Sequence, residues 1–210
     1  MARVPPPDSL PAQLFLLAVD PDRNRLTGRA ELGYALRAAA LVDLQLSGHL
    51  VDLHGRPATH DGGIVPDPVL DSVLREVGAE PGRRWRWWIR RNARRTTAAV
   101  REQLAAARRV ELVRHRILGI FPTYRITVPD PMLRHRIVGA VDAALSDGWP
   151  VGDRTAALVA LAAAAELRIV LPRARRRAHR DRIADLTERT GPVPVALRKV
   201  IRDARTAAGG

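Results

Sequence analysis

The chain has 210 residues, 46% of them hydrophobic and 27% charged, which is enough apolar material to bury one domain. It has no cysteine, which excludes a disulfide scaffold, a thiolate metal site and a cysteine nucleophile. The longest apolar run, residues 156–165, is far short of the roughly 20 residues of a spanning helix.

Residues 1–9 read as a loose arm with three prolines, and residues 14–19 lack the basic start and cleavage pattern of a signal peptide. These features predict a soluble, cytoplasmic protein. Folding is expected to begin at Leu10, with a turn over 20–24. Residues 31–47 predict a helix that is apolar nearly all round, hence central and buried, with Gly48 as its stop. A short strand fits 49–53. Asp67-Pro68 is a cap-plus-proline helix start, and Leu70, Val73, Leu74 and Val77 follow at helical spacing. Residues 85–92 and 96–109 read as two further helical pieces. Strands over 110–116 and 123–128 form a hairpin through the apolar residues 117–122. Asp130-Pro131 repeats the helix start, with Leu133, Ile137, Val141 and Leu145 facing a core. Residues 155–171 predict a buried helix, and 173–188 and 195–207 predict basic amphipathic ones. The expected architecture is mainly α: a single domain over 10–207 with a central buried helix, surrounding amphipathic helices and one protruding β-hairpin.

The net charge of +13 is carried almost wholly by arginine, Lys199 being the only lysine. It is also polarised. Residues 1–82 carry −4, residues 83–116 hold 12 Arg against 2 acids, and residues 168–189 carry +5. Arginine presents a fixed fork of donors suited to phosphate, so such segments attract phosphate-bearing polyanions.

No constellation for catalysis stands out. A phosphate-cradling glycine loop followed by lysine is missing, as is an H-E-x-x-H helix, and no nucleophile elbow surrounds any serine. The six histidines lack metal-ligand spacing; His54 and His60, beside Asp52 and Asp61, read as a solvated loop. The expectation is a binding protein, not an enzyme, with no metal and no cofactor.

Two features point to a surface. At the hairpin tip, Ile117, Leu118, Ile120 and Phe121 stand where turns are usually polar, flanked by Arg114, His115, Arg116 and Arg125. Such a finger folds into the core, packs on another subunit, or dips into a headgroup layer. Each buried large apolar side chain would contribute roughly 1.5–3 kcal/mol, and each arginine near an anionic leaflet about 1 kcal/mol. The second feature is the Arg/Trp-rich run 83–95. It fits stacking on nucleic acid or an interfacial belt. It fits equally a helix whose Trp85, Trp88 and Ile89 form a core stripe with arginines behind.

The order of elements resembles the Golgi phosphoprotein 3 family. The resemblance rests on the block Gly33-Tyr34-Ala35-Leu36-Arg37 through Leu41-Val42-Asp43-Leu44-Gln45-Leu46-Ser47-Gly48-His49-Leu50, on residues 67–77, on Trp88-Ile89, on Val100-Arg101-Glu102 entering the hairpin, and on the helix end over 142–149. It covers residues 9–205, and the arginine bias suits a bacterial member. The resemblance implies an α-rich peripheral membrane protein that binds phosphatidylinositol 4-phosphate in a basic pocket. Eukaryotic members act as adaptors for protein cargo, and their hairpin inserts into membrane or self-associates. On the family's pattern Arg37 and Arg101 stand at two of the headgroup-binding positions. The other two fall on Ala98 and near Gly28, and Arg94 and Arg29 are placed to substitute. The expectation is therefore a protein at the inner face of a membrane, bound to an anionic, phosphoinositide-like lipid through Arg37, Arg101, Arg94 and Arg29. Ile117, Leu118, Ile120 and Phe121 would anchor it or join it to a second copy. The alternative is a nucleic-acid-binding protein using 83–116.

Overall fold

The computed structural model describes residues 9–117, 121–146 and 150–209, without the side chains of 29, 30, 114–117 and 121–123. The arm expected over 1–9 falls outside it apart from Ser9, which is buried. Helix α1 (Leu10–Ala18) has Pro11 in its first turn, and all its residues but Gln13 are buried. Its first amide, Leu10 N, donates to the Asp43 carboxylate at 2.7 Å. Strands β1 (Val19–Asp20) and β2 (Arg25–Leu26) pair antiparallel around the expected turn, which Asp20 Oδ1 closes by accepting from the amides of Asp22 and Arg23.

Helix α2 (Arg29–Leu46) is the centre of the molecule. Every residue from 35 to 44 is buried, including Arg37 and Asp43. It ends at Gly48, whose φ of 78° is the left-handed stop a glycine takes without strain. Strands β3 (Leu50–Asp52) and β4 (Pro57–Thr59) form a second small antiparallel pair. Helix α3 (Pro68–Ala79) starts as its sequence predicts, with Asp67 Oδ1 accepting from Val69 N at 2.8 Å and Leu70 N at 3.1 Å. Helix α4 (Trp85–Arg90) meets α5 (Ala93–Ala106) at Asn92, which sits in the left-handed region at φ 53°.

Strands β5 (Glu111–Ile117) and β6 (Phe121–Thr127) pair from Glu111↔Thr127 to Ile117↔Phe121. Then come α6 (Pro131–Leu145), capped by Asp130, and the alanine-rich α7 (Asp153–Ala164). Helices α8 (Arg173–Ala178), α9 (Arg180–Thr190) and α10 (Pro192–Gly209) follow. Helices α1, α3, α4, α5, α7 and α10 all pack on α2.

The fold is mainly α, as expected, with three corrections. The described residues form three antiparallel pairs, where the sequence predicts one hairpin. The helix expected over 155–171 stops at Ala164. Glu166 turns left-handed at φ 52°, and Leu167 N bonds back to the Ala162 carbonyl at 3.0 Å. The helix expected over 173–188 is two helices, broken at His179, which leaves helical geometry at φ −109°, ψ 28°.

Candidate functional site

Arg37 lies in the most apolar stretch of α2, and its side chain is 1% exposed. Its Nη2 donates to Glu76 Oε2 of α3 at 2.7 Å, and its Nε donates to the Trp88 carbonyl of α4 at 3.2 Å. Burial pushes this guanidinium down from its ordinary pKa, and the Glu76 carboxylate opposes the shift. Glu76 also accepts from Asn92 Nδ2 at 3.0 Å. Arg37 is thus the inner anchor that ties α2 and α3 to the α4–α5 joint.

One turn before Arg37, α2 and α5 meet backbone to backbone at Gly33. A Cβ there would stand 2.9 Å from the Ala93 carbonyl oxygen and 3.2 Å from Thr97 Oγ1, so a side chain would force the helices apart. Beside this contact opens a cleft of about 1040 Å³. The start of α2 lines it with Glu31, Gly33 and Tyr34, and the start of α5 with Arg94, Arg95 and Thr97. Arg90 of α4 and Ala204, Arg205 and Ala208 of α10 complete the wall.

Two of its arginines are paired within the protein. Arg90 bonds Asp203 at 2.8 Å, and Arg205 bridges Glu31 at 3.0 Å and Glu166 at 2.9 Å. The hydrogen bonds of this bridge raise the pKa of Arg205, and the bond from Arg205 holds Glu166 below the usual carboxylate range. Arg94 and Arg95 are exposed, with no ion pair or hydrogen bond among the described residues.

Two helix starts converge on this cleft. Neither Gly28 before α2 nor Asn92 before α5 caps its helix with a side chain. The first turn of α5 contains no acid; it holds Arg94 and Arg95, whose charge has the same sign as the helix end. Arg29 is the first residue of α2, two positions before the lining residue Glu31, and its side chain lies outside the described residues.

Arg101 is seven residues beyond Arg94, on the same face of α5 and about 10 Å along it. Its guanidinium stacks on Tyr124 of β6, 4.5 Å from the ring centre, and its Nη2 meets Glu102 at 3.4 Å. Its Nε is buried, with no hydrogen-bond partner among the described residues. The three nominated arginines whose side chains are described therefore stand at separate places. Arg94 and the start of α2 share the cleft, Arg37 lies beneath it, and Arg101 stands at the foot of the hairpin. That foot is joined to the cleft, because Ile126 N of β6 donates to the Asn24 carbonyl at 2.8 Å and β2 leads within two residues into α2.

At the hairpin tip Ile117 and Phe121 are paired in register, and their side chains lie outside the described residues, as do Leu118 and Ile120 altogether. The tryptophan stripe is core: Trp85, Trp88 and Ile89 are buried, and Trp85 Nε1 donates to Asp52 at 2.6 Å. Trp87 lies under the guanidiniums of Arg83 and Arg91, 5.2 and 4.7 Å from its ring centre. The indoles are thus engaged within the protein rather than presented as a platform for bases. Among the described residues no cluster of His, Asp or Glu could hold a metal ion, and no helix is long and apolar enough to cross a membrane.

Arg95, Arg90 and Arg205 complete the cleft without having been among the arginines nominated for a headgroup. The charge excess of 83–116 points to the first two; Arg205 gives no signal, since its partners are 174 and 39 residues away. A family model described as Golgi phosphoprotein 3 (GPP34) matches residues 10–204. No curated protein matches the chain at a significant level.

Proposed function

Because this chain belongs to the Golgi phosphoprotein 3 (GPP34) family, we propose that it is a peripheral membrane protein whose cleft binds a phosphorylated anionic headgroup of the phosphatidylinositol 4-phosphate kind. The observation that carries this reading is the convergence of two helix starts without side-chain caps on a cleft with two arginines, Arg94 and Arg95, that have no partner among the described residues. Cations in the first turn of a helix are unfavourable on their own. A phosphate there would accept from the first-turn amides of α5 and from both guanidiniums, turning the like charge of that helix start into a contact.

In this reading Arg94 and Arg95 touch the headgroup and Arg29 adds a third cation. Arg101 braces the hairpin foot against α5. Arg37 is a positioning residue, which fixes the α4–α5 joint through Glu76 and the Trp88 carbonyl. The hairpin, whose foot bonds the Asn24 carbonyl just before β2, inserts Ile117, Leu118, Ile120 and Phe121 into the leaflet. The role is binding rather than catalysis.

Sedimentation with vesicles tests the proposal. Phosphatidylcholine vesicles containing phosphatidylinositol 4-phosphate should carry the protein down, and pure phosphatidylcholine should not. Arg94→Glu with Arg95→Glu should abolish this binding, and Leu118→Ser with Phe121→Ser should weaken it while leaving the thermal melt unchanged. A duplex DNA titration at moderate salt runs beside it. DNA binding without vesicle binding would replace this reading with the nucleic-acid one.

A further inference from the structure

A second cationic concavity lies among the last four helices, separated from the cleft by the Arg205–Glu166 pair. It measures about 720 Å³, within the range of sites that take a small ligand or a run of side chains. Its floor is apolar: Ala163 and Ala164 end α7, Ile183 and Ala184 belong to α9, and Val195 of α10 is 58% exposed. Its rim carries Arg173 and Arg177 of α8, Arg198 of α10 and one exposed carboxylate, Glu188 of α9.

Helix α8 is unusual. It has four arginines in six residues and buries none of its side chains. Two of the four hold it in place. Arg175 meets Asp142 at 2.6 Å and the Val170 carbonyl at 3.3 Å, and Arg176 lies 3.7 Å from Glu166. The other two, Arg173 and Arg177, stand at i and i+4 on the groove, exposed and without a partner among the described residues. Like charges at that spacing destabilise a helix unless an anion lies between them. Arg198 is equally exposed and unpaired among the described residues on the opposite wall.

We infer that this groove docks an acidic amphipathic segment of a partner protein, with apolar side chains on the Ile183–Ala184–Val195 floor and carboxylates on Arg173, Arg177 and Arg198. Charge complementarity selects the occupant: among the described lining residues the unpaired charges are three arginines, Arg173, Arg177 and Arg198, against one carboxylate, Glu188, and the floor is apolar. The lining has no aromatic ring on which a base would stack.

The test uses the full chain and a fluorescein-labelled helical peptide of leucine and glutamate, with leucines at i, i+3, i+4 and i+7. Anisotropy is measured at roughly 150 mM salt, where non-specific attraction is screened. Saturable binding is expected. Arg173→Glu, Arg177→Glu and Arg198→Glu together should weaken it about tenfold or more, and Val195→Asp roughly fivefold. All four positions are exposed, so the thermal melt should not move. A glutamate-only peptide of equal length should bind at least about tenfold less tightly. Equal binding of the two peptides, or no effect of Val195→Asp, would reduce the groove to bulk charge and overturn the inference. Anionic vesicles separate it from the headgroup reading: the groove variant should sediment with them like the parent chain. Loss of vesicle binding in that variant would make the groove a membrane surface and overturn the inference, whatever the cleft variants do.

Discussion

Arg37 is a full charge inside α2, 1% exposed, and Glu76 is the carboxylate that answers it. The two partners are unequal, since Glu76 is 25% exposed and can turn to water. Glu76→Gln should therefore destabilise more than Arg37→Met. The first strands a buried cation, at a cost of about 3–5 kcal/mol; the second leaves a carboxylate that water and Asn92 can still satisfy. Chemical denaturation of both variants measures the difference, and a larger loss for Arg37→Met would contradict it. The sequence makes plain that an arginine in such a helix needs an anion. It does not show which one. Asp43, six residues on in the same helix, accepts Leu10 N and pairs with Arg154 at 2.8 Å, and Glu102 is exposed beside Arg101, so neither carboxylate answers Arg37. Glu76 comes from a different helix, and its position depends on how α3 crosses α2, which no local pattern records.

Helix starts are more legible than helix stops. Asp67 and Asp130 cap α3 and α6 as their Asp-Pro pairs predict, because a cap needs only the residues beside it. The stops of α5 and α7 are left-handed turns at Arg108 and Glu166, with φ 52° at each, where glycine would have announced them. Arg108→Gly should relieve that strain and stabilise the protein by about 1 kcal/mol, read as a rise in the melting temperature. Gly33→Ala should do the reverse. Its Cβ meets the backbone of α5 rather than a side chain that could swing away. A loss of roughly 1–3 kcal/mol is expected, together with weaker vesicle binding as the two helix starts separate. The hairpin is legible from its alternation, although its strands run on to Ile117 and Phe121 and leave only 118–120 between them.

At the scale of the whole molecule, charge is arranged by pairing as much as by sequence. Glu166 stands between the groove and the cleft: it lines the first and bonds Arg205, which lines the second. Its pKa is lowered in the fold, chiefly by the hydrogen bond from Arg205. The stabilisation from this pair is therefore complete above the ordinary glutamate range and is lost as pH falls through the lowered value. Glu166→Gln should lower the melting temperature at neutral pH by a small amount, of order 1 kcal/mol or less for a pair this exposed. The parent and variant melts should converge as the pH falls below that lowered value, where the parent's carboxyl is also neutral. The cleft itself is not legible in the sequence, because its walls join residues 31–34, 90–97 and 204–208, which only the packing of α10 brings together.

That packing carries a practical warning. The final turns of α10 form one wall of the cleft, with Ala204, Arg205 and Ala208 facing it. A fluorescent reporter or affinity handle fused behind this helix would crowd the opening, and trimming the helix would remove the strap that Arg205 lays across Glu31 and Glu166. Either change would mimic a damaged headgroup contact, so labels belong on surfaces remote from that helix end.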